Sequence, residues 1–272
     1  MKSNPKIYPL IQRYLTIRGQ LASREYFIIA VLGLLAPLAA WLFLSKSGLV
    51  DPVFLPSPEA VLTRVWTWLI DDGLLGDIGV SVNRVIGGFL LSAVLALPLA
   101  SLIGTYRPLQ ALFEPLTDFI RYMPAVAFIP LVMLWVGIDE GAKVSIIFIG
   151  TFFQMVLMMA EDIRRVPMAQ IEAAQTMGAD RGEIMKLVIL KSALPSLFDT
   201  LRITMGWAWT YLVVAELVAA NSGLGYAILK AQRFLQTDKI FAGIILIGVI
   251  GLLMDQAFRW VHRKSFPWLY LK

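Results

Sequence analysis

Three ionisable residues at the edge of an apolar stretch, Glu114, Asp118 and Arg121, stand four and then three positions apart. On a helix this spacing places them on one face, where opposite charges neutralise each other. Charged side chains inside a membrane are costly, so each of the three is a candidate for function. Two interpretations stay open: a structural salt network at one end of a helix, or a gate in which Arg121 contacts an anion.

Two further ionisable residues, Arg84 and Glu216, lie near the ends of apolar stretches. We expect Arg84 to extend its guanidinium into the membrane–water interface. An ionised Glu216 would repel an anion, which favours a structural or gating role for this residue over binding of a solute. The only histidine, His262, lies in a basic C-terminal segment, where we expect it to face solvent or lipid headgroups.

The composition excludes several classes of site. With no cysteine and one histidine, the chain cannot carry a disulfide framework, a cysteine-based zinc site or a thiol nucleophile. The sequence also lacks a GxxxxGK[ST] loop, the motif that holds nucleotide phosphates. We therefore expect no metal, no bound nucleotide and no catalytic residue on this chain.

Apolar residues dominate the chain. The set AVILMFWYC makes up 58% of its 272 residues, and counting the 20 glycines while leaving out the 8 tyrosines gives about 62%, which exceeds the roughly 45–50% of soluble domains on that count. A run of about 17–25 apolar residues is long enough to cross a bilayer as a helix. Runs that approach or exceed this length are found at 27–44, 85–105, 119–138, 144–160, 203–220 and 240–254. The sequence therefore predicts an all-α membrane protein with about six transmembrane helices.

Lysine and arginine residues predict the orientation, because they concentrate in short cytoplasmic loops. With six spans, sixteen of them fall on the side of both termini and seven on the other side. Both termini are therefore predicted to be cytoplasmic, and the net charge of +5 follows from topology rather than from binding to nucleic acid. The predicted organisation is a cytoplasmic tail at 1–26, one transmembrane domain at 27–262 and a second tail at 263–272.

The predicted cytoplasmic loop at 161–195 carries a helix–turn–helix pattern. Pro167 suits a helix start, and Gly178 suits a helix end in the left-handed conformation. Asp180 with Glu183 is typical of a capping box, from which a second helix begins. The loop is therefore predicted to hold two helices joined by a tight turn.

The first of these helices, at 168–177, has small residues along one face, at Ala174 and Gly178. A face without bulk lets a helix lie close to another surface, which suits docking into a groove. Binding to DNA is disfavoured, because 161–202 holds six basic and six acidic residues and therefore has no excess positive charge. A plain structural connector is the remaining interpretation.

The loop resembles the EAA loop of permease subunits in ATP-binding-cassette (ABC) importers. The matching residues are Glu172, Ala173 and Ala174, then Gly178 after three residues, and Val188 and Leu190 after nine more. The family has isoleucine where this chain has Val188, and it usually has proline where this chain has Lys191. The glycine spacing and the position between the fourth and fifth of six spans make the resemblance specific.

Other segments resemble one branch of this family, which imports nitrate, bicarbonate, taurine and other alkanesulfonates. These segments are 54–58, 114–115, 121–125 with Pro130, 135–138, 215–217 and 221–225. The tail after Glu216 is most similar to the taurine and sulfonate permeases.

The resemblance implies a type I ABC importer permease fold, in the inner membrane of a bacterium. It implies a homodimer of this chain, two separate cytoplasmic ATPases that bind ATP and Mg, and an external solute-binding protein. The first helix of the loop would couple the permease to the ATPase. The coupling residues implied are Ile171, Glu172, Ala173, Ala174, Met177 and Gly178.

A path for the solute needs polar groups or irregular backbone inside the spans. Prolines leave backbone carbonyls without a donor, which is tolerated where neighbours or a water-filled cavity satisfy them. The candidates for the path are Arg121, Met123, Pro124, Phe128, Trp207, Thr210 and Tyr211. Packing between helices is the alternative interpretation of these residues.

The residues also bear on functions of other classes. A membrane-embedded enzyme is disfavoured, because no group of paired carboxylates, histidines or thiols faces one compartment. A proton-coupled secondary carrier, with Glu216 as the coupling acid, stays open. So does an ABC permease for a different small solute.

Overall fold

The computed structural model describes Ile17, Gly19 and residues 21–270. The regular structure in this part of the chain is helical, without a strand, as the sequence predicts. Most of the predicted tail at 1–26 lies outside the described residues. By contacts between its residues the chain divides into two compact units, one that ends at Val61 and one that begins at Leu62. The predicted domain limits stay predictions.

The first unit contains one long helix, α1 (Ser23–Lys46). Its mean hydropathy reaches 2.5, and none of its residues is buried within the chain. A helix that is apolar all round needs lipid or protein on every side. Helix α1 contains the predicted first span, 27–44.

The remaining helices follow one another with short connections. In chain order they are α2 (Pro58–Ile70), α3 (Leu74–Thr105), α4 (Arg107–Arg121), α5 (Ile129–Val136), α6 (Glu140–Arg164), α7 (Met168–Thr176), α8 (Arg181–Glu183), α9 (Leu190–Ala219), α10 (Leu224–Arg233) and α11 (Thr237–Ser265). Short 3₁₀ turns at Ala125–Phe128 and Pro267–Leu269 lie before α5 and after α11. A π-helix at Ile184–Ile189 joins α8 to α9.

Helices α3, α6 and α9 pack side by side at the centre of the second unit. Small residues let α3 approach α6 closely, as is common between membrane helices. A Cβ added to Gly88 would lie 2.6 Å from Cγ2 of Ile147. One added to Gly104 would lie 2.8 Å from the backbone oxygen of Ala160. These three helices hold the polar sites described below.

The predicted third span, 119–138, is a broken helix and not a straight one. Helix α4 ends at Arg121, and the segment Ala125–Val136 continues at an angle of 89° to it. Pro124 lies at the break with φ −59° and ψ 124°. A proline nitrogen donates no hydrogen bond, and the residue before a proline disfavours the helical conformation. Backbone of this kind occurs at membrane depth where it is buried in protein or borders a cavity.

Within the described residues, four helices are long and apolar enough to cross a membrane, namely α1, α3, α6 and α11. The bent pair formed by α4 and the segment after it makes five if it counts as one span. The predicted fifth span, 203–220, falls almost entirely within α9, which has 30 residues but is not one of these candidates. A total of six spans therefore requires α9 to cross as well.

The loop at 161–195 folds largely as predicted. Helix α7 begins directly after Pro167, and the turn that follows it contains Gly178 with φ +86°. The N–H of Ala179 donates to the carbonyl oxygen of Ala174 at 3.0 Å. This bond is typical of a helix that ends on a left-handed residue.

Asp180 and Glu183 form the predicted capping box. The N–H of Glu183 donates to Oδ1 of Asp180 at 2.8 Å, and the N–H of Asp180 donates to Oε2 of Glu183 at 2.9 Å. The next six residues, Ile184–Ile189, form the π-helix, which the sequence analysis did not predict. Such π-helical turns are rare and frequently occur at functional sites.

Candidate functional site: a cavity at a helix break and an exposed loop helix

A cavity of about 200 Å³ lies beside the break between α4 and α5. The end of α4, the residues of the break, the middle of α6 and the middle of α9 border it. Its lining residues are Ile120, Arg121, Met123, Ala125, Ile149, Gly150, Phe153, Gln154, Trp207, Thr210 and Tyr211. Apolar walls therefore surround a guanidinium, an amide, an indole and two hydroxyl groups.

Five of the seven predicted path residues meet at this cavity. They are Arg121, Met123, Trp207, Thr210 and Tyr211. Pro124 forms the break but is not a lining residue. Phe128 packs instead against the apolar cluster that includes Ile129 and Ala142.

The sequence analysis missed the four residues of α6 that line the cavity, which are Ile149, Gly150, Phe153 and Gln154. A Cβ on Gly150 would collide with the ring of Tyr211, so glycine lets this ring pack directly on α6. The available signal was a polar residue inside the uncharged run 144–160, four positions after a glycine. Residues four positions apart share one face of a helix.

Arg121 is held at the edge of the cavity by three hydrogen bonds. Its Nε donates to Oδ1 of Asp118 at 2.8 Å, and its Nη1 donates to Oε1 of Gln154 at 3.4 Å. Its Nη2 donates to the hydroxyl of Tyr122 at 3.0 Å. The pair of Asp118 with Arg121 is the salt bridge that the helical spacing predicts.

The predicted charge network is only partly formed, because Glu114 turns to another helix. Its carboxylate lies 2.9 Å from Nη1 of Arg164 on α6, and Arg164 also contacts Glu161 at 3.0 Å. These groups belong to a second cavity, of about 310 Å³. Its charged lining residues are Glu114, Asp118, Arg121, Glu161, Asp162, Arg164 and Arg165. Arg121 and Gln154 line both cavities and therefore lie at their junction.

The predicted coupling residues of α7 face two ways. Glu172 and Ala173 are exposed, and Met177 is 81% exposed. Ala174, in contrast, is 4% exposed and packs into the core of this chain, with Ile171 half-buried beside it. Of the small face that was expected to meet a partner, Ala174 instead lets α7 lie close to the π-helix of its own chain, whereas Gly178 is exposed. The surface open to a partner is the opposite face of α7.

A buried ion pair that the sequence analysis did not identify joins α3 to α9. Nη1 of Arg84 lies 2.7 Å from Oε1 of Glu216, and the two residues are 2% and 0% exposed. The same guanidinium donates two hydrogen bonds to Glu140 and one to the backbone oxygen of Ser222, the latter at 2.7 Å. Arg84 is therefore buried in protein, and the expectation that it extends to the membrane–water interface is wrong.

Glu216 accepts two further hydrogen bonds, from Oγ of Ser81 at 2.8 Å and from the N–H of Gly225 at 2.7 Å. The N–H of Leu224 donates to Ser81 in turn, at 2.9 Å. A Cβ on Gly223, whose φ is +104°, would collide with the Glu216 carboxylate. These bonds hold the turn that begins α10 against α3, which agrees with a structural role for Glu216.

A third polar cavity, of about 490 Å³, lies beside that turn. Asp72, Ser222 and Lys239 are among its lining residues. Nζ of Lys239 donates to Oδ2 of Asp72 at 2.8 Å, and this hydrogen bond lowers the pKa of the Asp72 carboxyl below its usual value.

His262 is 7% exposed, so the expectation that it faces solvent is wrong. Its Nδ1 lies 2.8 Å from the hydroxyl of Tyr270, and the rings of Phe198 and Phe266 pack around it. The contact with Tyr270 folds the end of the described chain back onto α11.

Known proteins resemble this chain over most of its length. The family described as "Binding-protein-dependent transport system inner membrane component" matches residues 88–266. The taurine transport system permease protein TauC of Escherichia coli (strain K12) is 31% identical over 95% of each chain. The putative aliphatic sulfonates transport permease protein SsuC of Bacillus subtilis (strain 168) is 35% identical over 87% of each chain. The bicarbonate transport system permease protein CmpB of Synechococcus elongatus is 28% identical over 87% of this chain and 88% of its own.

A solved structure shares the fold. An inward-facing conformation of the MetNI methionine ABC transporter matches with a TM-score of 0.62 at 22% identity, over 75% of this chain and 95% of that one. The predicted fold class, an all-α membrane protein with the fold of a type I ABC importer permease, is confirmed. The chain belongs to the family of binding-protein-dependent transport system inner membrane components, in the branch that includes the taurine, sulfonate and bicarbonate permeases.

Proposed function

We propose that this chain is the membrane-spanning subunit of an ATP-driven importer for a small anion that an external binding protein delivers. The observation that carries the proposal is α7, a short helix with one exposed face inside the stretch 88–266 that matches the family. The relatives named above are described as taurine, aliphatic sulfonate and bicarbonate permeases. These solutes, together with nitrate, are the proposed cargoes, and the proposed location is the bacterial inner membrane.

The proposed assembly has two copies of this permease, two cytoplasmic ATPases and one binding protein. ATP and Mg bind to the ATPases, since this chain has no phosphate-binding loop. The face of α7 that carries Glu172, Ala173 and Met177 sits in a cleft of the ATPase. Ile171 and Ala174 hold α7 to its own chain, so a movement of the ATPase moves the permease helices with it.

Coupling of this kind is a two-state equilibrium. ATP drives the permease between inward- and outward-facing states only if it binds one state better than the other. Gly178 sets the angle between α7 and the helix that follows it, because the left-handed turn at this residue positions both helices of the loop. The coupling role of α7 therefore depends on its rigid attachment as well as on its exposed face.

The proposed path for the anion passes the cavity at the helix break. Arg121 supplies positive charge there, and Met123, Trp207, Thr210 and Tyr211 form walls with apolar and hydrogen-bonding groups. Pro124 keeps the helix broken, and Phe128 packs the segment after the break against the apolar cluster that includes Ile129 and Ala142.

A proton-coupled carrier is less well supported. Its candidate acid, Glu216, is enclosed and accepts hydrogen bonds from Arg84, Ser81 and Gly225. A coupling acid has to exchange a proton with each side of the membrane in every cycle, whereas this carboxylate is fully buried and its oxygens are occupied by these bonds. Glu216 instead ties three parts of the fold together.

Uptake by purified components tests the proposal. Vesicles that contain the permease and its ATPase are loaded with ATP and given the binding protein with radiolabelled ethanesulfonate, taurine, nitrate or bicarbonate outside. We expect uptake of one of these anions that requires ATP and persists after a protonophore removes the proton gradient. Uptake that follows a proton gradient without ATP would contradict the proposal and favour the secondary carrier.

A further inference from the structure

We infer that the cavity at the helix break binds the transported anion on Arg121, and that Asp118 replaces the anion on this guanidinium when the cavity is empty. The inference rests on the proposed function and adds to it a binding site, a choice among the proposed cargoes and an exchange of partners. The ligand class is a small sulfonate with a short alkyl tail.

Donors from three helices point to an anion. Helix α4 contributes the guanidinium of Arg121, α6 the amide N–H groups of Gln154, whose Oε1 accepts from Arg121, and α9 the hydroxyl of Thr210, which donates to the backbone oxygen of Gly206 over a long 3.5 Å. In the described part of the chain, the residues that line this cavity include no aspartate or glutamate. A guanidinium donates two parallel hydrogen bonds to an oxyanion, and charge-assisted bonds of this kind are the strong ones.

The size of the cavity suits a ligand of a few heavy atoms. Its volume of about 200 Å³ lies below the roughly 300–1,000 Å³ of sites for drug-sized ligands. Ile149, Phe153 and Met123 offer apolar contacts to a short alkyl chain, which nitrate and bicarbonate lack. The ammonium group of taurine would meet no carboxylate among the lining residues. Ethanesulfonate carries a negative charge that pairs with Arg121 and a short alkyl chain that contacts the apolar walls.

Asp118 lies on the other side of Arg121. It lines the second cavity and not the first, whereas Arg121 lines both. The side chains of Arg121 and Asp118 are 28% and 45% exposed, and exposed pairs at this spacing contribute little to stability. An arriving anion therefore displaces Asp118 easily, and water hydrates the released carboxylate. Asp118 displaces the anion in turn, which keeps the site weak enough to release its cargo.

The experiment is equilibrium binding of radiolabelled ethanesulfonate to the purified complex of permease and ATPase, without binding protein. Arg121→Gln should weaken binding about tenfold or more, because it removes a charge-assisted contact. Arg121→Lys should fall between wild type and Arg121→Gln, because lysine keeps the charge but not the paired donors. Arg121→Lys is also the control for misfolding, because binding that is weakened but still measurable shows that a change at this position leaves the complex folded.

Asp118→Asn should tighten binding several-fold, because it removes the competing carboxylate. Its control is Glu161→Gln, which removes a negative charge from the second cavity without touching the partner of Arg121. Arg165→Gln is the control for Arg121, since Arg165 lines the second cavity only. We expect both controls to bind ethanesulfonate nearly as wild type does.

Unchanged binding of ethanesulfonate by Arg121→Gln would contradict binding of the anion on Arg121. A lack of saturable binding in both wild type and Asp118→Asn would contradict it as well. An Asp118→Asn complex that binds no tighter than Glu161→Gln would overturn the exchange. Taurine that binds as tightly as ethanesulfonate would overturn the ligand class. The proposed function fails separately: if the cavity binds the sulfonate but vesicles show no ATP-dependent uptake, the site stands and the importer does not.

Discussion

The guanidinium of Arg84 lies 2.7 Å from the carboxylate of Glu216, and both side chains are buried. The two residues are 132 positions apart, so their pair ties α3 to α9. Because Arg84 also bonds the backbone of Ser222, the same guanidinium holds the turn that leads into α10. The attraction between two buried charges offsets the free energy that they lose with their hydration only while both partners are present.

Replacing Arg84 with methionine should lower the free energy of unfolding by about 3–5 kcal/mol, because Glu216 is then buried without its counter-ion. Denaturant unfolding of the permease in mixed micelles measures the change. The double variant Arg84→Met with Glu216→Leu should lose less than Arg84→Met alone, since no uncompensated charge remains.

Arg259 provides the matched control, because its pair with Asp255 lies at the surface of α11, with 48% and 31% of the two side chains exposed. Arg259→Met should cost at most about 1 kcal/mol. Similar losses for Arg84→Met and Arg259→Met would show that burial adds nothing to the importance of the Arg84 pair.

Two consecutive glycines of α3 should respond differently to alanine. A Cβ on Gly88 would lie 2.6 Å from Ile147, whereas one on Gly87 would lie 3.6 Å from Val144, which is an ordinary contact. Gly88→Ala should therefore force α3 and α6 apart and cost about 1–3 kcal/mol. Gly87→Ala should be tolerated, since alanine favours a helix. Thermal unfolding of the two variants measures the difference. Equal midpoint temperatures for Gly88→Ala and Gly87→Ala would contradict the close packing of α3 against α6 at Gly88.

The features that the sequence predicts well depend on residues close together in the chain. The span of α1 follows from the length of an apolar run, and the turn between α7 and α8 follows from Gly178, Asp180 and Glu183 within six positions. Short-range rules for helix length and helix caps are enough for such features. They need no knowledge of which helix lies beside which.

The features that the sequence analysis missed depend on distant residues. Arg84 near the end of a span suits an interfacial arginine, and only the packing of α3 against α9 reveals Glu216 as its partner. In the same way, the small face at Ala174 does not show by itself whether it meets a partner or the core of its own chain. The cavity was found in part, because an arginine at the edge of a span and a proline within one stand out from the sequence alone.

Glu172→Lys should uncouple ATP hydrolysis from uptake in the reconstituted transporter. Glu172 is exposed on α7, so reversal of its charge should leave the fold unchanged while it disturbs the contact with the ATPase. Uptake per ATP hydrolysed should fall severalfold. Asp71→Lys makes the same change of charge at an exposed position in the connection after α2 and should leave the ratio unchanged. If Glu172→Lys transports like Asp71→Lys, α7 does not make the proposed contact.

Gly178 should tolerate asparagine but not valine. Its φ of +86° is a conformation that side chains rarely adopt, although nothing lies within 4 Å of the position of a Cβ. Glycine is therefore required here because of the backbone conformation, and not because a larger side chain would collide with a neighbour. Asparagine accepts the left-handed conformation, whereas another side chain costs roughly 1–2 kcal/mol there.

Because the strain falls on the turn between α7 and α8, Gly178→Val should shift α7 and lower the uptake per ATP hydrolysed, while Gly178→Asn should stay close to wild type. Gly79→Ala is the control, since Gly79 also has open space around it but no positive φ. A valine variant that couples as well as the asparagine variant would mean that the left-handed turn does not set the position of α7.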